Sequence, residues 1–202
     1  MNDLFESSEK ELLPVAGAEL LLWRHVAFGS DNDLLKQLIK ETPWRLEQVT
    51  VWGKTYPQPR LVAWYGDDAQ SYTYSGITLS ALPWTSALLA IKGKVDALCG
   101  SSFNSVLLNY YRDHRDSMGF HSDDEPELGP APTIASVSFG ETRPFVLKHR
   151  RRKDIADVRI PLPSGSLLLM AGPTQANWRH GIPKQTKPCG PRVNLTFRNI
   201  LG

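Results

Sequence analysis

The stretch RVNLTFR, residues 192–198, alternates without a break. Val193, Leu195 and Phe197 point one way, and Arg192, Asn194, Thr196 and Arg198 point the other, which is the period of a β-strand. The apolar side requires a core to pack on. The polar side carries two arginines, roughly 20 Å apart at ~3.3 Å per residue. On a solvent-facing strand two arginines would need no explanation. Their long side chains can also lean together and bracket a small dicarboxylate through bidentate contacts.

Other strand-like segments lie upstream of this one: SVLLNYY (105–111), TIASVSFG (133–140), PFVLKHR (144–150), VRIPL (158–162) and GSLLLMAG (165–172). Short strands with turn signals at close spacing predict a sandwich, barrel or jelly roll over the C-terminal hundred residues. WRLEQVTVWGKTYPQPRLVAWYG, from residue 44, predicts two more strands joined by a turn around Gly53. Two helices precede the β core. DNDLLKQLIKE, 31–41, has Ser30 or Asp31 as a cap and Leu34, Leu35, Leu38 and Ile39 on one face. The second starts at Pro83, carries Leu88, Ile91, Val95 and Leu98 on one side, and ends near Gly100, with Gly93 as a weak point inside it. The class is α+β, mainly β, in a single domain over residues 1–202.

A chain of 202 residues with 41% hydrophobic and 22% charged residues is an ordinary globular composition, long enough to bury a core. Its formal net charge of +2 creates no strong global field for nucleic acid. Locally, KHRRRK at 148–153 is a basic run, either a solvated turn or a grip on phosphates. The two cysteines, Cys99 and Cys189, show no zinc or disulfide spacing and fit a reducing compartment. MNDLFESSEK lacks the parts of a signal peptide, and ELLLW (19–23) is too short to span a bilayer. A cytoplasmic monomer without membrane contact is the expectation.

GFHSDDE, 119–125, places a histidine beside three carboxylates. Such clusters are usually solvated loops. Here His121 and Asp123 stand at i and i+2, on one face if the segment is a strand, and His180 in NWRHGIP supplies a third ligand. Two imidazoles and one carboxylate form the facial triad of ferrous-iron oxygenases. With a dianion clamp in the same chain, the combination describes an iron dioxygenase that uses 2-oxoglutarate. Zinc would also suit the triad, but a zinc hydrolase leaves Arg192 and Arg198 unexplained.

LLNYYRDHRDSMGFHSDDEPELGPAPTIASVSFGETRPFVLKHR, NWRHGIP and PRVNLTFR together resemble the AlkB family of iron(II)- and 2-oxoglutarate-dependent nucleic-acid dealkylases, and most of all its duplex-DNA repair members. The resemblance runs from about Trp44 to the C-terminus. It implies a double-stranded β-helix, a jelly roll, with N-terminal helices and a nucleotide-recognition hairpin lid. His121, Asp123 and His180 would hold iron(II). Arg192 would take the distal carboxylate of 2-oxoglutarate, and Arg198 would lie at its metal-chelating end and help to hold Asp123. Asn109, Tyr111 and Asn194 would complete that pocket.

YTYSG (72–76) resembles the lid: Tyr74 would stack on a flipped base, with Tyr72 and Ser75 adding polar contacts. Asp124 and Glu125 would select the cationic form of N1-methyladenine or N3-methylcytosine. VWGK (51–54) resembles a finger that enters the base stack, with Trp52 as wedge and Arg60 beside it. Arg150, Arg151, Arg152 and Lys153 fall where relatives grip a strand, although the loop here is short. The implied reaction spends dioxygen and 2-oxoglutarate and releases succinate, carbon dioxide and formaldehyde. The partner is alkylated DNA. RNA or a protein side chain, and a non-catalytic binding module of the same fold, are the alternatives.

Overall fold

The structure is a computed structural model, and it describes residues 9–51, 53–67, 71–74 and 77–201. In chain order the elements are β1 (Lys10–Leu12), β2 (Glu19–Trp23), α1 (Asp31–Glu41), β3 (Gln48–Val51), β4 (Lys54–Pro57), β5 (Leu61–Gly66), β6 (Ser71–Tyr74), β7 (Ile77–Ser80), α2 (Ser86–Cys99), β8 (Ser105–Tyr111), β9 (Met118–His121), β10 (Ile134–Gly140), β11 (Arg143–His149), β12 (Val158–Leu162), β13 (Leu167–Ala171), α3 (Thr174–Asn177), β14 (Trp178–Ile182) and β15 (Arg192–Arg198). Every strand pairing is antiparallel. A seven-stranded sheet runs β1-β2-β13-β10-β15-β8-β5 and a four-stranded sheet runs β12-β11-β14-β9. The hairpins β3-β4 and β6-β7 stand apart from both.

Two apolar clusters divide the molecule into layers. One lies on the helical side of the large sheet, where Leu38, Leu88, Ile91 and Val95 meet Val106, Leu108, Val137, Phe139, Val193, Leu195 and Phe197. The other lies between the sheets, where Leu107, Tyr111, Leu168 and Met170 meet Phe145, Leu147, Ile160, Leu162, Trp178 and Ile182. This is the jelly-roll arrangement expected, with the helices on its outer face.

Strand β15 is covered on both sides. Val193, Leu195 and Phe197 face the helices, each contributing about 1.5–3 kcal/mol by leaving water. Arg192, Asn194, Thr196 and Arg198 therefore point into the space between the sheets, and all four are buried. The solvent-facing reading of the two arginines is excluded.

Helix α1 matches its expected span, and the Ser30 hydroxyl accepts from Asp33 N. Helix α2 begins at Ser86, three residues after Pro83, because the Thr85 hydroxyl accepts from Leu88 N and caps it there. Gly93 is tolerated on its exposed face. Gly100 ends the helix at φ 62°, the left-handed conformation glycine adopts at a C-terminal cap. ELLLW, read only as too short for a membrane span, is strand β2. It pairs with β13, with Leu20 and Leu22 buried on one face and Trp23 buried beside half-buried Leu21 on the other. The region around Gly53 holds three strands instead of two, since β5 leaves the hairpin and joins the large sheet beside β8. Among the described residues no helix is long and apolar enough to cross a membrane.

Candidate metal and co-substrate site

Strands β9 and β14 pair so that His121 and His180 face each other across the ladder, and the register breaks between His180 and Ile182. The two imidazoles meet edge to face, with centroids 4.3 Å apart. Asp123 does not share a strand with His121. β9 ends at His121, and Asp123 lies in the irregular turn that follows, where its N–H donates to Gln175 Oε1 at 3.1 Å. The preceding Ser122 hydroxyl donates to Trp178 O. Side chains, not a ladder, fix this turn. One ligand atom from each of His121, Asp123 and His180 lies within 4.8 Å of the others.

The donor set suits a divalent cation. Asp123 is 0% exposed; its Oδ1 accepts from Arg198 Nη2 at 2.8 Å, and its Oδ2 has no hydrogen-bond partner. A buried carboxylate oxygen in that state is costly unless a cation meets it. His121 Nδ1–H donates to the Gly119 carbonyl at 3.0 Å, leaving Nε2 as the lone-pair donor toward Asp123. Burial pushes the Asp123 carboxyl up, but the Arg198 guanidinium and then the two imidazoles outweigh this and bring it down to about 2. Burial drives His180 down to about 3, helped by His121 and Arg198 and opposed by Asp123. Asp123 and His180 are thus in the protonation states a metal needs.

The depressed His180 has a consequence for the metal-free protein. Between about pH 3 and the ordinary value of 6.5 the unfolded chain binds the extra proton, so stability falls as pH drops through that window. The melting temperature of chelator-treated protein should decline from pH 7 to pH 4.5. The decline should flatten in His180→Asn. An equally steep decline in the variant would place the acid sensitivity elsewhere.

Gly181 follows His180 and packs where β14 meets β9. A Cβ there would sit 2.9 Å from the Met118 carbonyl and 3.2 Å from that of Gly119, the acceptor that orients His121. Gly181→Ala should therefore push the His121 strand away. A loss of about 1–3 kcal/mol in stability is expected, with weakened metal binding, read by chemical denaturation and metal titration. Unchanged values would mean that β9 moves without cost.

A small cavity opens beside the triad, lined among others by Tyr111, Met118, Ser136, Arg192, Asn194 and Arg198. Arg192 is 1% exposed; its Nη2 donates to the Ser138 hydroxyl at 2.9 Å, while Nε and Nη1 have no partner. It forms no ion pair among the described residues and lies over the Tyr111 ring, 5.2 Å from its centroid. Burial lowers its pKa to about 10, with Arg143 adding to the fall and Tyr111 opposing it; it remains cationic at neutral pH. A desolvated guanidinium with vacant donors, near a metal triad, fits one carboxylate of a dianion. The Tyr111 hydroxyl donates to the Met118 sulfur at 3.8 Å.

Other residues expected here are engaged differently. Both amide hydrogens of Asn194 are taken, by Ser136 Oγ and Val137 O, and its Oδ1 accepts from Thr196, so it shapes the wall of the cavity. Asn109 does not line the cavity; its Oδ1 accepts from Arg60 Nε at 2.7 Å. Arg60 is buried there and not on the surface. Asp124 pairs with Arg150, which also donates to Gln175 O. Arg152 pairs with Asp154 inside the same loop, while Arg151 and Lys153 are exposed. Tyr72 and Tyr74 lie on β6 of the expected lid hairpin. Trp52 and Ser75 lie outside the described residues, and Glu125 is half-buried at the end of the triad turn.

Sequence reasoning missed three residues of this region. Gln175 holds the Asp123 backbone. Ser138 orients Arg192. Arg143, wholly buried, donates to the carbonyls of Asp113, Asp116 and Pro183 and lies over the Tyr111 ring, 5.7 Å from its centroid. For Ser138 a signal existed, since it faces Asn194 across the β10–β15 ladder on the same side as Arg192. Gln175 sits on a single helical turn and Arg143 opens a strand; neither gave one.

A jelly roll with a His-Asp-His triad and a buried arginine in one cavity defines the class of iron(II) and 2-oxoglutarate oxygenases. The model of the 2OG-Fe(II) oxygenase superfamily matches residues 28–198. The chain is 43% identical over 201 residues to the human DNA oxidative demethylase ALKBH2, covering 89% of this chain and 77% of the relative. It is 45% identical over 175 residues to the mouse alpha-ketoglutarate-dependent dioxygenase alkB homolog 3, covering 83% of this chain and 60% of that protein. Against the alkB homolog 3 proteins the chain thus spans about three-fifths of their length. The solved structure of OsALKBH1 superposes with a TM-score of 0.64 at 17% identity, over 95% of this chain and 100% of that one, a likeness of fold. The chain belongs to the AlkB family of the 2OG-Fe(II) oxygenase superfamily. The identities, two percentage points apart, do not separate the two kinds of relative.

Proposed function

We propose that this chain is an oxidative demethylase of N-methylated bases in DNA, acting on N1-methyladenine and N3-methylcytosine. The observation that carries the dioxygenase reading is the pairing, in one cavity, of a partnerless carboxylate oxygen on Asp123 with the partnerless donors of Arg192. His121, Asp123 and His180 would hold iron(II), and Arg192 and Arg198 would hold and orient 2-oxoglutarate. The bound iron, with 2-oxoglutarate and dioxygen, supplies the oxidant that places one oxygen atom into an N-methyl C–H bond. The other oxygen atom leaves in succinate as carbon dioxide is lost. The hydroxymethyl product breaks its C–N bond, giving formaldehyde and the unmethylated base.

The nucleic-acid substrate is supported by the relatives named as DNA oxidative demethylases and by the hairpins that flank the core. The reacting methyl cannot reach a buried metal from within a duplex, so the base must leave the stack. Trp52, which falls between β3 and β4 in the sequence, would fill the gap, and Tyr74 on β6 would stack on the extruded base. Asp124, Glu125 and the basic loop from Arg150 to Lys153 would meet the cationic base and the phosphates. The Asp124–Arg150 ion pair is half-exposed, so its exchange for these partners costs little.

Incubation with iron(II), ascorbate, 2-oxoglutarate and oligonucleotides bearing one N1-methyladenine tests the reading by mass spectrometry. Loss of one methylene from DNA is expected. Loss only from the matching RNA, or from neither, contradicts the substrate. Trp52→Ala should lower the rate on duplex by about tenfold more than on single strands, since unstacking costs a few kcal/mol. Equal losses on both would remove the finger from the account.

A further inference from the structure

The carboxylate ligand is the only member of the triad that no strand positions. His121 and His180 are set by the β9–β14 ladder, whereas Asp123 lies past its end. Two side chains do the work of the missing ladder. Arg198 donates to the carboxylate, and Gln175 accepts from the Asp123 N–H. Gln175 is 1% exposed and fixed at three points: its Nε2 donates to Met170 Sδ at 3.6 Å, its own backbone oxygen accepts from Arg150 Nη1, and its side-chain oxygen is spent on Asp123. A buried glutamine held at both ends has one conformation available, and so does the N–H it receives.

We propose that Gln175 is a positioning residue for the metal, holding the Asp123 main chain so that its carboxylate meets the same cation as the two imidazoles. The inference rests on the reading of Asp123 as a metal ligand. It places a functional residue on α3, a single helical turn too short to show a periodic pattern. Without the acceptor, the Asp123 N–H is buried and unsatisfied, and the turn from 122 to 125 relaxes to find another partner. The carboxylate then moves relative to the histidines.

Cobalt(II), added to the metal-free full-length protein, is the probe, because its visible absorption reports the geometry of its ligands. Gln175→Met keeps the volume and loses the acceptor. Cobalt binding about 10–100-fold weaker, with an altered band and an unchanged melting temperature, is expected from loss of an outer partner of a ligand. Gln175→Glu keeps an oxygen at the same reach and adds negative charge beside the cation, so binding should be retained. If Gln175→Met does not fold, Gln175→Asn, one methylene too short to reach, is read in its place. A Met or Asn variant with wild-type affinity and spectrum overturns the positioning role, as does equal loss in the Glu variant. Wild-type protein that binds no cobalt overturns the ligand reading together with the inference.

Discussion

Asp123→Ala should abolish 2-oxoglutarate turnover and lower iron(II) affinity by more than about 100-fold, beyond the range typical for losing an outer partner. The substitution removes one of three ligands and the carboxylate that Arg198 Nη2 contacts within the sheet sandwich. It also leaves buried positive charge with less compensation, which costs about 3–5 kcal/mol when a buried pair is broken. Activity loss alone could therefore reflect unfolding. Asp123→Asn separates the two effects, because the amide oxygen still accepts from Arg198 while the charge is gone. It should stay folded and still fail to turn over. Substantial succinate formation by folded Asp123→Asn would remove the carboxylate from the ligand set.

Arg192→Met should move function and stability in opposite directions. The guanidinium is fully desolvated, with two nitrogens lacking any partner, so its charge destabilises the protein unless an anion binds. Replacement by a thioether of similar length removes that penalty. The melting temperature of the metal-free protein should hold or rise. Binding of 2-oxoglutarate should weaken by about 100-fold or more, since losing a buried charged hydrogen bond costs about 2–5 kcal/mol. The KM for 2-oxoglutarate is the direct readout. A fall in stability with an unchanged KM would make Arg192 a structural residue.

Strand β15 was legible in the sequence because its two faces differ in chemistry. The same property that made it readable, polar residues at every second position, turned out to define the site, since both faces are buried. Strand β2 was not legible. Buried on both sides, ELLLW has no alternation to distinguish it from any other apolar run. Strands β9 and β14 were missed for another reason. MGFH and WRHGI are short and interrupted by glycine, and Gly181 is there to let two backbones approach, which no periodicity reports.

The ligands His121, Asp123 and His180 could be named from residue type and order, but their geometry could not. The strand reading put His121 and Asp123 on one face; the structure puts them on consecutive pieces, a strand end and a turn held by Gln175. Arg60 and Asn109 show the limit in another way. They lie 49 positions apart, and only the pairing of β5 with β8 reveals that they bond. The Asp124–Arg150 pair likewise joins two stretches that sequence reading had assigned separate tasks.

On the proposed function, this cavity couples 2-oxoglutarate oxidation to removal of a base methyl group. The most direct test is to measure succinate and formaldehyde together, in one reaction, on a DNA duplex carrying a single N1-methyladenine. Formation of the two in equal amounts, both lost in Asp123→Asn, is the predicted result. Succinate without formaldehyde, at a rate indifferent to the methylated duplex, would contradict it.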